Sequence, residues 1–149
     1  MKKESIFNDE VSLFNSIYVM HKAFEKFLKT HVNDLNINKA ESKFLGEIYY
    51  NEGISQREIA RNLFVSEANI AKTYKILEKK GFIYKKVDEK NNTRRQLYLT
   101  EKGKESFEEI IKLYEEYHHF ILSDYTEEEI RKHEEMMKGI ADKSLKFLK

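Results

Sequence analysis

Not one of the 149 residues is proline. Proline stops a helix by removing a backbone donor and crowding the preceding turn. Only glycine, asparagine and clustered charge are left to end helices here, which favours a few long ones. Cysteine is absent as well, which removes disulfides, thiolate zinc sites, iron–sulfur ligation and thiol switches from consideration. Hydrophobic residues at 40% suffice for a core, and charged residues at 36% call for long solvated helix faces. The length suits one domain, not two large ones. No apolar run approaches the roughly 18 residues that span a bilayer. Met1 to Ser5 lead into polar–apolar alternation and not into a signal-like apolar block. The expected location is cytoplasmic, with no membrane partner.

The net charge is only +1, but it is unevenly spread. Lys72 to Arg95 holds nine bases against three acids, and Glu101 to Glu135 holds five bases against twelve acids. A polyanion would feel the basic block more than the total. A solvated face is the other reading of such a run, so the scaffold beneath it decides.

Apolar residues at 7, 11, 14, 18, 24 and 28, with a second row at 13, 17, 20 and 27, predict a first helix. Two rows make a stripe wider than one partner requires, as for a helix facing both its own core and a second subunit. Asn38 and Glu41 form a capping pair for a second helix through Phe44, Leu45, Ile48 and Tyr49, closed by Asn51-Glu52-Gly53. Ser55-Gln56-Arg57-Glu58 opens a short third helix carrying Ile59, Ala60 and Leu63. Ser66 caps a fourth, with Ile70, Tyr74 and Leu77 inward and Gly81 as its stop. Two helices joined by so short a turn are a helix-turn-helix candidate.

Phe82–Val87 and Arg95–Leu99 read as strands of a hairpin joined by the polar loop Asp88–Arg94. Thr100 caps a long helix with Phe107, Ile110, Ile111, Tyr114, His118, Ile121 and Leu122 inward. Thr126-Glu127-Glu128-Glu129 opens a last one through Ile130, Met137, Ile140 and Leu148. The expected fold is mainly α (α+β): a winged helix-turn-helix with long N- and C-terminal helices, in a single domain over 1–149. About 38–100 would form the DNA-binding lobe. About 5–32 and 101–149 would form a helical lobe, too long and apolar to be a lid, that pairs two copies as a homodimer.

The residues Ser55-Gln56-x-Glu58-Ile59-Ala60-x-x-Leu63-x-Val65-Ser66 resemble the MarR family of regulators. The resemblance continues through Ile70-Ala71-Lys72-x-Tyr74-x-x-Leu77-Glu78-x-x-Gly81-Phe82-Ile83, then Asn92-x-Arg94 and Leu97-Tyr98-Leu99-Thr100-Glu101-x-Gly103. With the flanking helices it covers nearly the whole chain. It implies a sequence-specific, ligand-responsive transcriptional repressor that binds a pseudo-palindromic site in double-stranded DNA as a homodimer. Two departures stand out: Asn92 replaces the aspartate usual two positions before the wing arginine, and Ala71 replaces a more usual Thr or Ser.

In that context Ser66, Glu67, Ala68, Asn69, Ala71, Lys72, Thr73 and Lys75 on or near the exposed face of the fourth helix are candidates for major-groove contact. The alternative is an ordinary solvated face. Gln56 and Arg57 are candidate phosphate contacts, which set register without reading sequence. Lys90, Arg94 and Arg95 sit on the wing; the resemblance implies that Arg94 enters a minor groove, whereas a strand-edge charge that keeps the hairpin soluble is the plainer reading. The resemblance further implies a small aromatic or phenolic effector near Tyr18, Phe44, Tyr49, Tyr114 and Tyr117, residues that plain core packing also accounts for. No cofactor is required.

Among five histidines, His118 and His119 are adjacent and point about 100° apart on a helix, unsuited to one ion. His21, His31 and His133 are isolated. A dimer could still bring His118 to His21 or Glu25, so a metal-responsive regulator stays open beside a winged-helix module that binds protein partners. There is no phosphate-cradling glycine loop, nucleophile elbow or cysteine nucleophile, and acid pairs such as Glu108/Glu109 and Glu115/Glu116 lie on charged helix faces. The expected class is not an enzyme.

Overall fold

The computed structural model describes residues 12–88 and 91–148. In order it runs α1 (Ser12–His31), a 3-10 turn (Asn33–Leu35), α2 (Lys39–Tyr50), α3 (Gln56–Asn62) and α4 (Glu67–Lys79). The hairpin β1 (Ile83–Asp88) and β2 (Asn91–Leu99) follows, then α5 (Glu101–Leu122), α6 (Glu127–Ser144) and a closing 3-10 turn (Leu145–Phe147). Among the described residues this is the mainly α winged helix-turn-helix that the sequence predicts.

Caps place the helices. Asn38 Oδ1 accepts from the Glu41 amide at 2.9 Å, and the Glu41 carboxylate accepts from the Asn38 amide at 3.0 Å. Ser55 with Glu58 and Thr126 with Glu129 make the same reciprocal pair at α3 and α6. Ser66 and Thr100 accept from Asn69 and Gly103 amides at α4 and α5. Each satisfies amides that the helix leaves orphaned, typically a contribution of about 1 kcal/mol per cap. Gly81 ends α4 at φ +76°, the left-handed conformation that a side chain resists.

The core lies where the middle helices meet the hairpin and the first half of α5. Phe44, Leu45, Ile48, Ile59, Leu77, Phe82, Leu97 and Ile110 are its fully buried large side chains. The β1–β2 pair is antiparallel, with Ile83 opposite Leu99 and Lys85 opposite Leu97. Leu97 also exchanges backbone hydrogen bonds of 3.0 Å with Gly53 and Ile54 on the segment before α3, which fixes the helix-turn-helix to the wing. Gly103 lets α5 approach from the other side: a Cβ there would stand 2.0 Å from the Phe82 carbonyl oxygen.

Two expectations change. The polar loop Asp88–Arg94 is mostly strand, since β1 reaches Asp88 and β2 begins at Asn91, with a register irregularity between Val87 and Asp88. Backbone pairing does not require apolar side chains, so a polar stretch hid the strand. The inward set of α5 holds for Phe107 and Ile110 and in part for Ile111 and Tyr114, but His118 and Ile121 are exposed in the single chain. Phe7 and Val11 of the predicted first helix lie outside the described residues. The helix α6 buries no residue at all, and no described helix is long and apolar enough to cross a membrane.

Candidate nucleic-acid interface

The helices α3 and α4 are joined by Leu63–Ser66. Phe64 adopts φ +55°, and the Phe64 and Val65 amides bond back to Arg61 and Ala60 carbonyls at 3.3 and 3.1 Å. This tight reversal lays α4 across α3. Ile70, Tyr74 and Leu77 face inward, each at most 5% exposed, so the opposite face is fixed by the helical period. Glu67, Ala68, Asn69, Lys72 and Lys75 are exposed there. A single face thus presents a methyl group, an amide and two ammonium groups from the first two turns onward.

Other candidates are engaged locally. Ala71 and Thr73 are half-buried, and the Thr73 hydroxyl donates to the Asn69 carbonyl at 3.0 Å. Ser66 accepts from the Asn69 amide at 3.2 Å as the cap, which leaves its hydroxyl proton for another acceptor. Gln56 is half-buried at the first position of α3. Arg57 Nε lies 3.9 Å from Glu67 Oε1, an exposed pair that holds both side chains only weakly.

Arg57 lines an open cleft with Ser55, Glu58, Arg61, Val65 and Glu67. Arg61 is absent from the sequence candidates, yet it stands one turn from Arg57 and has no ion pair among the described residues. The signal was its i, i+4 spacing from Arg57. On the wing, Tyr84 and Tyr98 stack with centroids 5.5 Å apart, and Lys86 Nζ lies 4.9 Å from the Tyr98 ring. Arg95 sits on β2 opposite Val87 and is exposed. Lys90 lies outside the described residues, and Arg94 belongs to β2 with its side chain outside them.

Tyr74 donates to Glu78 beneath the exposed face. Burial, and then this carboxylate, push its phenol well above the ordinary tyrosine range. At the other end of α4, Lys80 Nζ lies 2.9 and 3.0 Å from the two carboxylate oxygens of Glu41, which is 2% exposed, and 2.8 Å from the Asn36 carbonyl oxygen.

The five aromatic effector candidates are not gathered at one place. Phe44 is fully buried in the core and Tyr18 is 63% exposed. Tyr49 packs on Tyr50 and Phe107, and its hydroxyl donates to Glu108 at 3.3 Å. Tyr114 and Tyr117 meet Phe24 with ring centroids 5.1 and 5.0 Å apart, bridging α5 and α1. Sequence periodicity shows which helix carries an aromatic ring but not which neighbour it meets. His118 Nε2 lies 3.3 Å from Glu134, His21 lies 3.4 Å from Glu25, and no group of three metal-ligating side chains occurs among the described residues.

The pattern defining the MarR family matches residues 37–94. The HTH-type transcriptional regulator YybA of Bacillus subtilis is 31% identical over 117 residues, 78% of either chain. Among solved structures, MarR aligns with a TM-score of 0.82 at 26% identity, covering 96% of this chain and 97% of that one. A MarR-family transcriptional regulator from Listeria monocytogenes complexed with a 26-mer DNA aligns with a TM-score of 0.82 at 27% identity, covering 91% and 90% of the two chains.

Proposed function

The chain belongs to the MarR family of transcriptional regulators, and from that premise we propose that it is a ligand-responsive repressor that reads a pseudo-palindromic operator in duplex DNA as a homodimer. The observation that carries this reading is α4. Its apolar side is locked in the core while Ala68, Asn69, Lys72 and Lys75 stand exposed. A helix so held enters a major groove with its first turns on base edges. Asn69 then suits adenine, Lys72 suits guanine or a phosphate, and Ala68 suits a thymine methyl. Arg57, Arg61 and Gln56 would meet phosphates and set register. Arg94, Lys90 and Arg95 serve the wing contact, and Ser66 and Glu67 frame the entering end. A cytoplasmic location follows from the DNA target.

The dimer has its own support. Apolar side chains without cover concentrate on the first half of α1 and on the chain from the end of α5 onward, with Phe14 at 71%, Phe120 at 79% and Phe147 at 92% exposure. Patches of this kind mark association surfaces. Two-fold pairing sets the two α4 helices against half-sites about one DNA turn apart. A small aromatic or phenolic effector acting where Phe24, Tyr114 and Tyr117 join α1 to α5 would shift the spacing of the lobes by its differential affinity for the two arrangements.

Lys72→Ala tests the reading. It is expected to weaken duplex binding by about tenfold, the scale of one lost charge-assisted contact, with the dimer intact by sedimentation. Unchanged affinity in both Lys72→Ala and Arg94→Ala contradicts DNA reading by this lobe.

A further inference from the structure

Glu67 is an acid on the face of α4 that otherwise presents Ala68, Asn69, Lys72 and Lys75. A carboxylate turned toward a polyanion is repelled by it, so its place on this face calls for a reason. It takes no part in the helix cap: Ser66 accepts from the Asn69 amide, and the third position of α4 holds Asn69, not an acid. Glu58, the other acid of the cleft between α3 and α4, is spent on the Ser55 amide at 2.9 Å and hydroxyl at 2.6 Å. The Glu67 carboxylate accepts no hydrogen bond among the described residues.

Glu67 is the first residue of α4, and its side chain is 70% exposed. Side chains on a helix lean toward its N-terminus, and the N-terminal residues of a groove-entering helix are the ones that meet base edges. Arg57 Nε stands 3.9 Å from Oε1. That is near enough to offset the negative charge and too far for a hydrogen bond, so both carboxylate oxygens keep their acceptor sites.

A carboxylate has few partners in a major groove. It accepts and cannot donate. Guanine shows acceptors there, thymine an acceptor beside its methyl, and adenine sets N7 next to its amino group. Cytosine shows a donor and no acceptor. Against any other base the carboxylate would give up water for a lone pair or for nothing. We propose that Glu67 selects cytosine at one position of each half-site by accepting from the N4 amino group. The proposal rests on the operator reading of α4 and adds a division of labour to it. Lys72 and Asn69 attract the duplex, while Glu67 discriminates chiefly by what it refuses.

Selection of bound duplexes from a random pool by the full chain and by Glu67→Gln tests this. The wild type is expected to enrich cytosine at one position of each inverted half-site. Glu67→Gln, whose amide both donates and accepts, is expected to lose that preference, keep the others and retain the native circular dichroism, since the side chain is exposed. On the selected duplex, replacing that C·G pair by T·A should weaken the wild type by about tenfold, the scale of one charge-assisted contact, and the variant by less than about twofold. An acid that merely suits the helix dipole would lower the melting temperature when replaced and leave base preference as it was. Cytosine enriched equally by both proteins, or an equal loss in both on the exchanged duplex, overturns the proposal and leaves the operator reading standing. A wild-type chain that enriches no sequence overturns both.

Discussion

The ammonium of Lys80 lies 2.9 Å from Oε2 of Glu41, across 39 residues of sequence, and ties the end of α4 to the first turn of α2. The same carboxylate caps α2 by accepting from the Asn38 amide. One buried acid therefore fixes both the start of a scaffold helix and the tail of the helix proposed to enter DNA. Glu41→Gln keeps an acceptor for the cap but leaves Lys80 without its counter-charge. A loss of about 2 kcal/mol is expected, below the roughly 3–5 kcal/mol of fully buried pairs, because Lys80 keeps part of its side chain in water. The midpoint of urea unfolding measures it, and an unchanged midpoint would show the pair to be incidental.

Gly103→Ala should be costly for a steric reason. The added methyl would sit 2.0 Å from a backbone oxygen, that of Phe82, which no rotamer change can relieve. Overpacking of this type costs typically about 1–3 kcal/mol, with backbone clashes toward or beyond the upper end. Thermal unfolding of the variant checks it; a wild-type melting temperature would mean that α5 can slide away freely.

Alkaline pH should loosen the fold through Tyr74. Its phenol ionises near 10.0 in the unfolded chain and well above that in the folded one. The unfolded state thus releases its proton first, and stability falls as pH rises beyond about 10. Tyr49 is raised too, by burial and then by Glu108, so Tyr74→Phe should flatten this loss and not abolish it. Urea midpoints at pH 8 and pH 11 for both proteins supply the comparison, and equal pH slopes would contradict the assignment.

Phe120→Glu should split the proposed dimer. The ring is 79% exposed in the single chain, and a charge placed in a buried interface position costs about 2 kcal/mol or more. Sedimentation at micromolar concentration should show a shift toward monomer with the helical content kept. A dimer of unchanged strength would move the interface elsewhere.

Local chemistry made most of the fold legible. The pairs Asn38/Glu41, Ser55/Glu58 and Thr126/Glu129 act within four residues, so the sequence itself places those helix starts. The inward set Ile70, Tyr74 and Leu77 follows from helical period alone, and it fixes the exposed face of α4. What stayed hidden depends on partners far along the chain. The Lys80–Glu41 pair and the separation of Phe44 from Tyr114 and Tyr117 are consequences of packing. Strand β2 was underestimated because its first residues pair through the backbone while their side chains are polar.

Selection of bound duplexes from a random pool, compared between the wild-type chain and Lys72→Ala, tests the central claim that α4 reads DNA. The wild type is expected to enrich two inverted half-sites about 10–10.5 base pairs apart, centre to centre. Lys72→Ala is expected to relax the preference at one position in each half. A wild-type chain that enriches no sequence, or a variant that enriches the same sequence with the same strength, would contradict it.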